Sequence, residues 1–221
     1  MFPLCSWPTL AEEQHETYWA PHTRAFRILW LMEEAGAPYE RQLVDIRTGE
    51  QDDPAFRRIN PMGKVPALSD GDAHLAESGA ICAYVAERVP AAHLAPPVGD
   101  PLRARYLYWM FFSAGCMEPA FLQKMKGIEL PKSAAGWGSF DLVMEVVEEA
   151  LKDGPYLLGE AFSAADVMLA MDLWYAIHLL KVVSPTPRVA AYVARCTARP
   201  AFQRAEAIEA AELAARAAAA L

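Results

Sequence analysis

The sequence predicts an α/β domain with a four-stranded mixed sheet followed by an all-α helical bundle domain, and three features lead there. Strand and helix periodicities alternate through residues 15–90, and everything after Pro101 carries helical patterning. Between them, Pro90 to Pro101 contains four prolines and Gly99, a composition that cannot continue a helix and fits a semi-rigid connector. With 221 residues and 54% apolar content, the chain can bury one large core or two modest ones. The expected organisation is an extension at 1–14, an α/β domain at 15–90, a connector at 91–100 and a helical domain at 101–221.

The elements follow in order. Thr17 to Trp19 is a short β-prone run, and Thr23 to Ala35 places Phe26, Leu29 and Trp30 at helical spacing before Gly36 and Pro38 close it. Tyr39 to Ile46 alternates as a strand, and Asp53 to Ile59 reads as a short helix. Val65 to Leu68 and His74-Leu75 make a hairpin around Asp70-Gly71-Asp72. A helix from Glu77 to about Val89 completes the order β-α-β-α-β-β-α, which suits a four-stranded sheet covered by helices. Beyond the connector, helices are expected at 101–126, 138–152, 164–181, 186–197 and 200–219, separated by Gly136, Gly154-Pro155, Ser184-Pro185 and Pro200. Residues 1–14 do not fit this plan and receive no function.

Composition excludes several classes. A net charge of -8 argues against a nucleic-acid or anionic-membrane surface. The four cysteines are far apart with no Cys-x-x-Cys pair, so neither a zinc knuckle nor a dithiol motif is expected, and a reduced cytoplasmic protein is. Met1 to Leu10 lacks the basic start of a secretory signal, and the strongly apolar stretch Tyr106 to Met117 is too short to span a bilayer. The five histidines show no His-Glu-x-x-His spacing, so no metal is expected, and phosphate-binding glycine loops and a Gly-x-Ser-x-Gly elbow are absent.

Two segments carry the chemistry. In Asn60-Pro61-Met62-Gly63-Lys64-Val65-Pro66-Ala67-Leu68, Pro66 stands where a strand should begin, marking a tight bend that admits a cis peptide. In Glu77-Ser78-Gly79-Ala80-Ile81, an acid and a hydroxyl open a helix whose free N–H groups and dipole suit a small anion. A bend that exposes backbone beside such a helix start suits a peptide-like ligand. A third segment, Ser163-x-x-Asp166 after Phe162, has the capping-box spacing with an apolar staple, and its expected role is stability.

Taken with Tyr156-Leu157-Leu158-Gly159 ahead of that box, these motifs resemble the cytosolic glutathione transferases over about residues 15–205, most closely bacterial members of the serine/threonine type. The resemblance implies a thioredoxin-like amino-terminal domain, an α-helical carboxy-terminal domain, a homodimer, and glutathione as cosubstrate. Val65 would pair its backbone with the cysteinyl unit, made possible by Pro66. Ser78 and its N–H would hold the γ-glutamyl carboxylate, Glu77 its amino group, and Lys64 either the glycyl carboxylate or solvent. For the thiolate donor the chain departs from the family pattern across His22-Thr23-Arg24. Thr23 is the leading candidate, with Tyr18, His22 or a backbone N–H alone as alternatives and Arg24 as a source of positive potential. Trp109, Ser113 and Met117, spaced i, i+4, i+8, are the candidate second-substrate residues, joined by Trp174 and His178, although such stripes are more often bundle core. The implied activity is conjugation of glutathione to a small apolar electrophile. Peroxide or disulfide reduction and a non-catalytic binding protein are the other readings.

Overall fold

The computed structural model describes residues 15–131 and 133–219, so the extension expected at 1–14 lies outside the described residues. The chain separates into two compact units: residues up to Ala92 together with those from Arg204, and His93–Gln203.

In the first unit, β1 (His15–Trp19), α1 (Phe26–Ala35), β2 (Glu40–Leu43), α2 (Pro54–Ile59), β3 (Ala67–Asp70), β4 (Ala73–Ala76) and α3 (Ser78–Arg88) follow in the expected order. The sheet order is β2-β1-β3-β4, with β1 parallel to β2 and antiparallel to β3, which is antiparallel to β4. Every residue of β3 is buried, as befits an interior strand covered on both faces. One face packs Phe56 of α2 against Val44 and Ala67, with Tyr18, Ile59 and Val65 at the margin. Helix α1 is shielded along nearly its whole length, Trp30 and Leu31 reaching 0% exposure, which explains why its sequence shows only a weak polar face.

Boundaries shift where local chemistry intervenes. The helix expected from Thr23 begins at Phe26, because the Thr23 hydroxyl and carbonyl organise a turn first: Ala25 N–H donates to Thr23 Oγ1 and Phe26 N–H to Thr23 O. The hairpin strand starts at Ala67 rather than Val65, and a tight helical turn Glu50–Asp52 precedes α2, whose Asp53 cap accepts from the Ala55 N–H.

The second unit holds α4 (Leu102–Phe112), α5 (Glu118–Lys126), α6 (Phe140–Ala150), α7 (Ala164–Trp174) and α8 (Pro187–Thr197), and α9 (Pro200–Ala219) begins there. The single helix expected at 101–126 is α4 and α5 joined by a π-helical turn at Ser113–Met117, and α7 likewise ends in a π-helical turn at Tyr175–Leu179. Helix α7 is buried from Ala164 through Leu173, so its apolar residues are distributed all round and it forms the centre of the bundle. Both of its acids are satisfied: Asp172 accepts from the Ser113 hydroxyl, and Asp166 accepts from Ser163 N, Ser163 Oγ, Leu157 N and Tyr192 OH. Phe162 stacks edge-on with Tyr156, their centroids 5.3 Å apart, and lies 3.8 Å beneath the Arg199 guanidinium. The expected carboxy-terminal domain extended to residue 221, whereas the structure groups the chain from Arg204 onward with the first unit. There Arg204 pairs with Glu33 at 2.7 Å and also donates to its carbonyl at 2.9 Å, a pairing invisible in an Ala-rich helical pattern.

Candidate functional site

Strand register collects the motifs at one end of the sheet. Tyr18 pairs with Ala67 and Ala67 with Ala76, so the residues just beyond that row are Trp19 and Ala20 after β1, Val65-Pro66 before β3 and Glu77-Ser78 after β4. At about 4.8 Å between strands, β1 and β4 stand roughly 10 Å apart, which is about the reach of an extended tripeptide. The loops after the parallel strands β1 and β2 open at this same end, the usual place for ligands in sheets of this kind.

The loop before β3 is built by Asn60, which is 3% exposed. Its Nδ2 donates to the Lys64 carbonyl at 2.6 Å and its Oδ1 accepts from the Met62 N–H at 3.0 Å, clamping the turn from within. Gly63 sits at φ +60°, and a Cβ there would lie 2.8 Å from the Gln51 carbonyl oxygen and 2.9 Å from the Arg57 guanidinium. That guanidinium is itself fixed by the Pro61 carbonyl and the Asp52 carboxylate. Hence the motif needs asparagine and glycine at these places. The Val65–Pro66 peptide is cis, Pro66 is buried, Lys64 is exposed, and Val65 is half-buried with neither backbone group hydrogen-bonded to another described residue.

Helix α3 begins beside this loop. Glu77 adopts φ 67°, ψ 119°, a conformation that costs a non-glycine residue about 1–3 kcal/mol and that clusters at functional sites. Its side chain makes no cap hydrogen bond, so the first-turn N–H groups of α3 have no side-chain partner from the cap, and the first helical bond runs from Ile81 N to Glu77 O. Ser78 is 9% exposed, while Glu77 is exposed. A buried hydroxyl, uncapped N–H groups and an exposed carboxylate have the chemistry to hold a zwitterionic amino acid end, a helix start suiting a carboxylate and an acid an ammonium.

Between β1 and α1, the Thr23 hydroxyl donates to the Ala20 carbonyl at 2.6 Å and accepts from Ala25 N–H at 3.2 Å. Its single proton is thus directed along the backbone and must rotate to serve a ligand. His22 is exposed at φ 58°, and its backbone N–H donates to Glu209 Oε1 of α9 at 2.8 Å. Arg24 is exposed on the same loop. Tyr18 faces the α2 side of the sheet, 5.6 Å from the Phe56 ring, and its hydroxyl donates to Glu16 at 2.6 Å. Burial first, then the Glu16 carboxylate, push its phenol above the ordinary tyrosine range, so Tyr18 is a packed aromatic whose proton is already engaged.

The helical stripe is largely covered within the second unit. Trp109, Ser113 and Met117 are 4%, 1% and 0% exposed, and the Ser113 hydroxyl is consumed by Asp172. Ser113 and Met117 are bundle core of the second unit, because the π-helical turn directs this stretch toward α6 and α7. Trp109 also reaches the wall of a shallow open pocket that includes Arg105, Tyr108 and Glu149. Trp174 is half-buried and His178 exposed, their rings 5.1 Å apart. Sequence reasoning missed Asn60 as the organiser of the bend and Glu209 as a partner of the β1–α1 loop. The first had a signal, an asparagine four residues before the carbonyl it holds; the second had none. Among the described residues no group of three metal-ligating side chains comes together, and no helix is long and apolar enough to cross a membrane.

Comparison with known proteins identifies a family. Residues 16–87 match the family model for the glutathione S-transferase N-terminal domain, and residues 130–195 match that for the glutathione S-transferase C-terminal domain. Glutathione S-transferase theta-3 of Mus musculus is 31% identical over 176 residues, covering 74% of this chain and 73% of its own. Glutathione S-transferase F14 of Arabidopsis thaliana is 31% identical over 193 residues, with coverages of 79% and 75%. A solved glutathione transferase from Methylococcus capsulatus aligns with a TM-score of 0.74 at 32% identity, over 89% of this chain and 98% of the other. A glutathione transferase homologue from Sulfitobacter, solved with bound glutathione, aligns with a TM-score of 0.69 at 30% identity, over 87% and 97%.

Proposed function

The chain belongs to the glutathione S-transferase family, and from that premise we propose that it binds glutathione at the sheet end described above and conjugates its sulfur to a small apolar electrophile. The observation that carries this reading is Val65: a backbone N–H and C=O without partners in the described chain, next to the uncapped start of α3. A peptide strand laid against Val65 gains an antiparallel pairing. In this proposal its γ-glutamyl carboxylate meets Ser78 and the α3 N–H groups, its ammonium meets Glu77, and the exposed Lys64 meets the glycyl carboxylate or solvent.

The cysteinyl sulfur then lies toward the β1–α1 loop. Conjugation requires the thiolate, and a donated hydrogen bond together with the amino-terminal end of α1 lowers the thiol pKa by stabilising negative sulfur. Thr23 is the donor in this proposal: rotation of its hydroxyl away from the Ala20 carbonyl frees the proton, and the turn that places it is kept by the Phe26 N–H bond to Thr23 O. His22 and Arg24, exposed on the same loop, supply polar and positive surroundings. The thiolate attacks the electrophilic carbon, a carbon–sulfur bond forms, and the leaving group departs with the electron pair. The homodimer typical of the family is part of the same proposal.

Isothermal calorimetry with glutathione, paired with a chloronitroaromatic conjugation assay, tests the reading. Wild-type protein should bind glutathione, and Ser78→Ala should weaken binding about tenfold, the loss of one charge-assisted hydrogen bond. Absence of binding at millimolar glutathione would sink it. Turnover of a hydroperoxide without any conjugation would move the activity to glutathione-dependent reduction.

A further inference from the structure

The carboxy-terminal helix contributes to the same end of the sheet. On α9, Ala205, Ile208, Glu209, Glu212, Leu213 and Arg216 are shielded to some degree, whereas Glu206, Ala207, Ala210 and Ala211 are exposed, so one face of the helix lies against the first unit. Glu209 Oε1 accepts the His22 N–H at 2.8 Å, and Arg216, held by Glu212 at 2.7 Å, reaches Asp45 at 3.8 Å. His22 follows β1 and Asp45 follows β2, so α9 touches the loops at the carboxyl ends of both parallel strands.

His22 is the part of this contact that bears on chemistry. It holds φ 58°, a left-handed conformation uncommon for residues with a Cβ, although histidine enters it more often than most, and one that draws support from its surroundings. The carboxylate bond to its N–H is that support, contributed from a residue 187 positions away in the chain. His22 immediately precedes Thr23, so its backbone torsions decide where the Thr23 N–H and hydroxyl point.

We propose that Glu209 is a positioning residue for thiol activation: its carboxylate locks the His22 peptide and thereby aims Thr23 at the sulfur. The proposal rests on the function proposed above. It assigns the carboxy-terminal helix a part in turnover rather than in glutathione affinity, because Val65, Glu77 and Ser78 belong to the segment before β3 and the start of α3.

Steady-state kinetics with glutathione and 1-chloro-2,4-dinitrobenzene on Glu209→Ala, Glu209→Gln, Glu209→Asp and Arg204→Ala tests it. Glu209→Ala should lower kcat about tenfold while the KM for glutathione stays within about threefold, the signature of an interaction that matters in the transition state. Glu209→Gln retains an oxygen acceptor at the same reach and should stay near wild type, and Glu209→Asp, one methylene shorter, should fall between. Arg204→Ala removes the Glu33 clamp of the same helix without touching His22 and should leave kcat within about twofold of wild type. Hydrogen exchange at the His22 amide should accelerate most in Glu209→Ala, less in Glu209→Asp, and stay at the wild-type rate in Glu209→Gln and Arg204→Ala. An unchanged kcat in Glu209→Ala, or an equal loss in Arg204→Ala, overturns the proposal. Failure of the wild type to bind glutathione removes the functional reading and the role in thiol activation with it, and His22 exchange then reports only whether Glu209 holds the His22 peptide.

Discussion

Asn60 ties the bend before β3 to Lys64: its Nδ2 donates to the Lys64 carbonyl at 2.6 Å while its Oδ1 holds the Met62 N–H at 3.0 Å. Because Lys64 immediately precedes the Val65 backbone proposed to pair with ligand, this one amide sets the geometry of the site. Asn60→Ala leaves both backbone groups without their partner in a region where Asn60 is 3% exposed. Urea unfolding should show a loss of about 1–3 kcal/mol, and the KM for glutathione should rise more than kcat falls. Asn60→Asp keeps the acceptor but sets a carboxylate against the Lys64 carbonyl, so it should be no better than alanine. A stable Asn60→Asp with wild-type KM would contradict this account.

Gly63 faces a stricter limit. At φ +60°, with the Gln51 carbonyl oxygen 2.8 Å from where a Cβ would stand, Gly63→Ala combines left-handed strain with a backbone collision. The expected destabilisation is about 1–3 kcal/mol, read as a lowered urea midpoint at unchanged m-value. By contrast, Gly36 at φ +65° has nothing within 4 Å of that point, so Gly36→Ala should be affected by torsional strain alone and lose less.

The donor assignment is decided by comparing two hydroxyls. Thr23→Ala should lower kcat/KM about ten- to hundredfold, with Thr23→Ser near wild type, since a hydrogen bond to a charged group contributes roughly 1.5–3 kcal/mol. Tyr18→Phe should retain activity, because the Tyr18 proton is engaged by Glu16 at 2.6 Å. The reverse pattern in the conjugation assay would hand the role to Tyr18.

Asp166 predicts a pH effect of definite sign. Burial outweighs the donors from Leu157, Ser163 and Tyr192 and pushes its carboxyl up to about 6. A carboxyl whose folded pKa exceeds its unfolded value contributes stability below the unfolded value near pH 4, and that contribution is lost as pH rises through about 6. The unfolding free energy of wild type minus that of Asp166→Asn should therefore decline between about pH 4 and 6, by up to about 1.4 kcal/mol per unit. A difference that grows with pH would mean that the four donors prevail over burial. Asp166→Ala should be the least stable of the three at every pH, since it leaves buried donors at Leu157, Ser163 and Tyr192 unmatched.

Much of the fold was legible because its signals are local. Alternation, helical spacing and glycine or proline stops follow from backbone sterics that act over a few residues, so the order β-α-β-α-β-β-α and the helices after the connector could be read from pattern alone. The pairing of Ser163 with Asp166 was visible for the same reason, since both ends of the bond lie within one turn. The Trp109, Ser113, Met117 stripe left pocket wall and bundle core both open, because periodicity identifies a common face without saying what covers it. Burial to 4% or less and the bond from Ser113 to Asp172, 59 positions away, are tertiary facts that the stripe does not carry.

By itself, then, the sequence determined the types of the elements, the bend at Val65-Pro66 and the helix start at Glu77-Ser78, since each depends on the torsional and hydrogen-bonding habits of neighbouring residues. Tertiary structure decided what those habits leave open: the register that sets Tyr18, Ala67 and Ala76 in one row, the turning of the Thr23 proton toward Ala20, and the reach of Glu209 to His22. These are contacts between distant segments, chosen by which packing buries the most apolar surface while leaving the fewest polar groups unsatisfied, and that choice is a property of the whole chain.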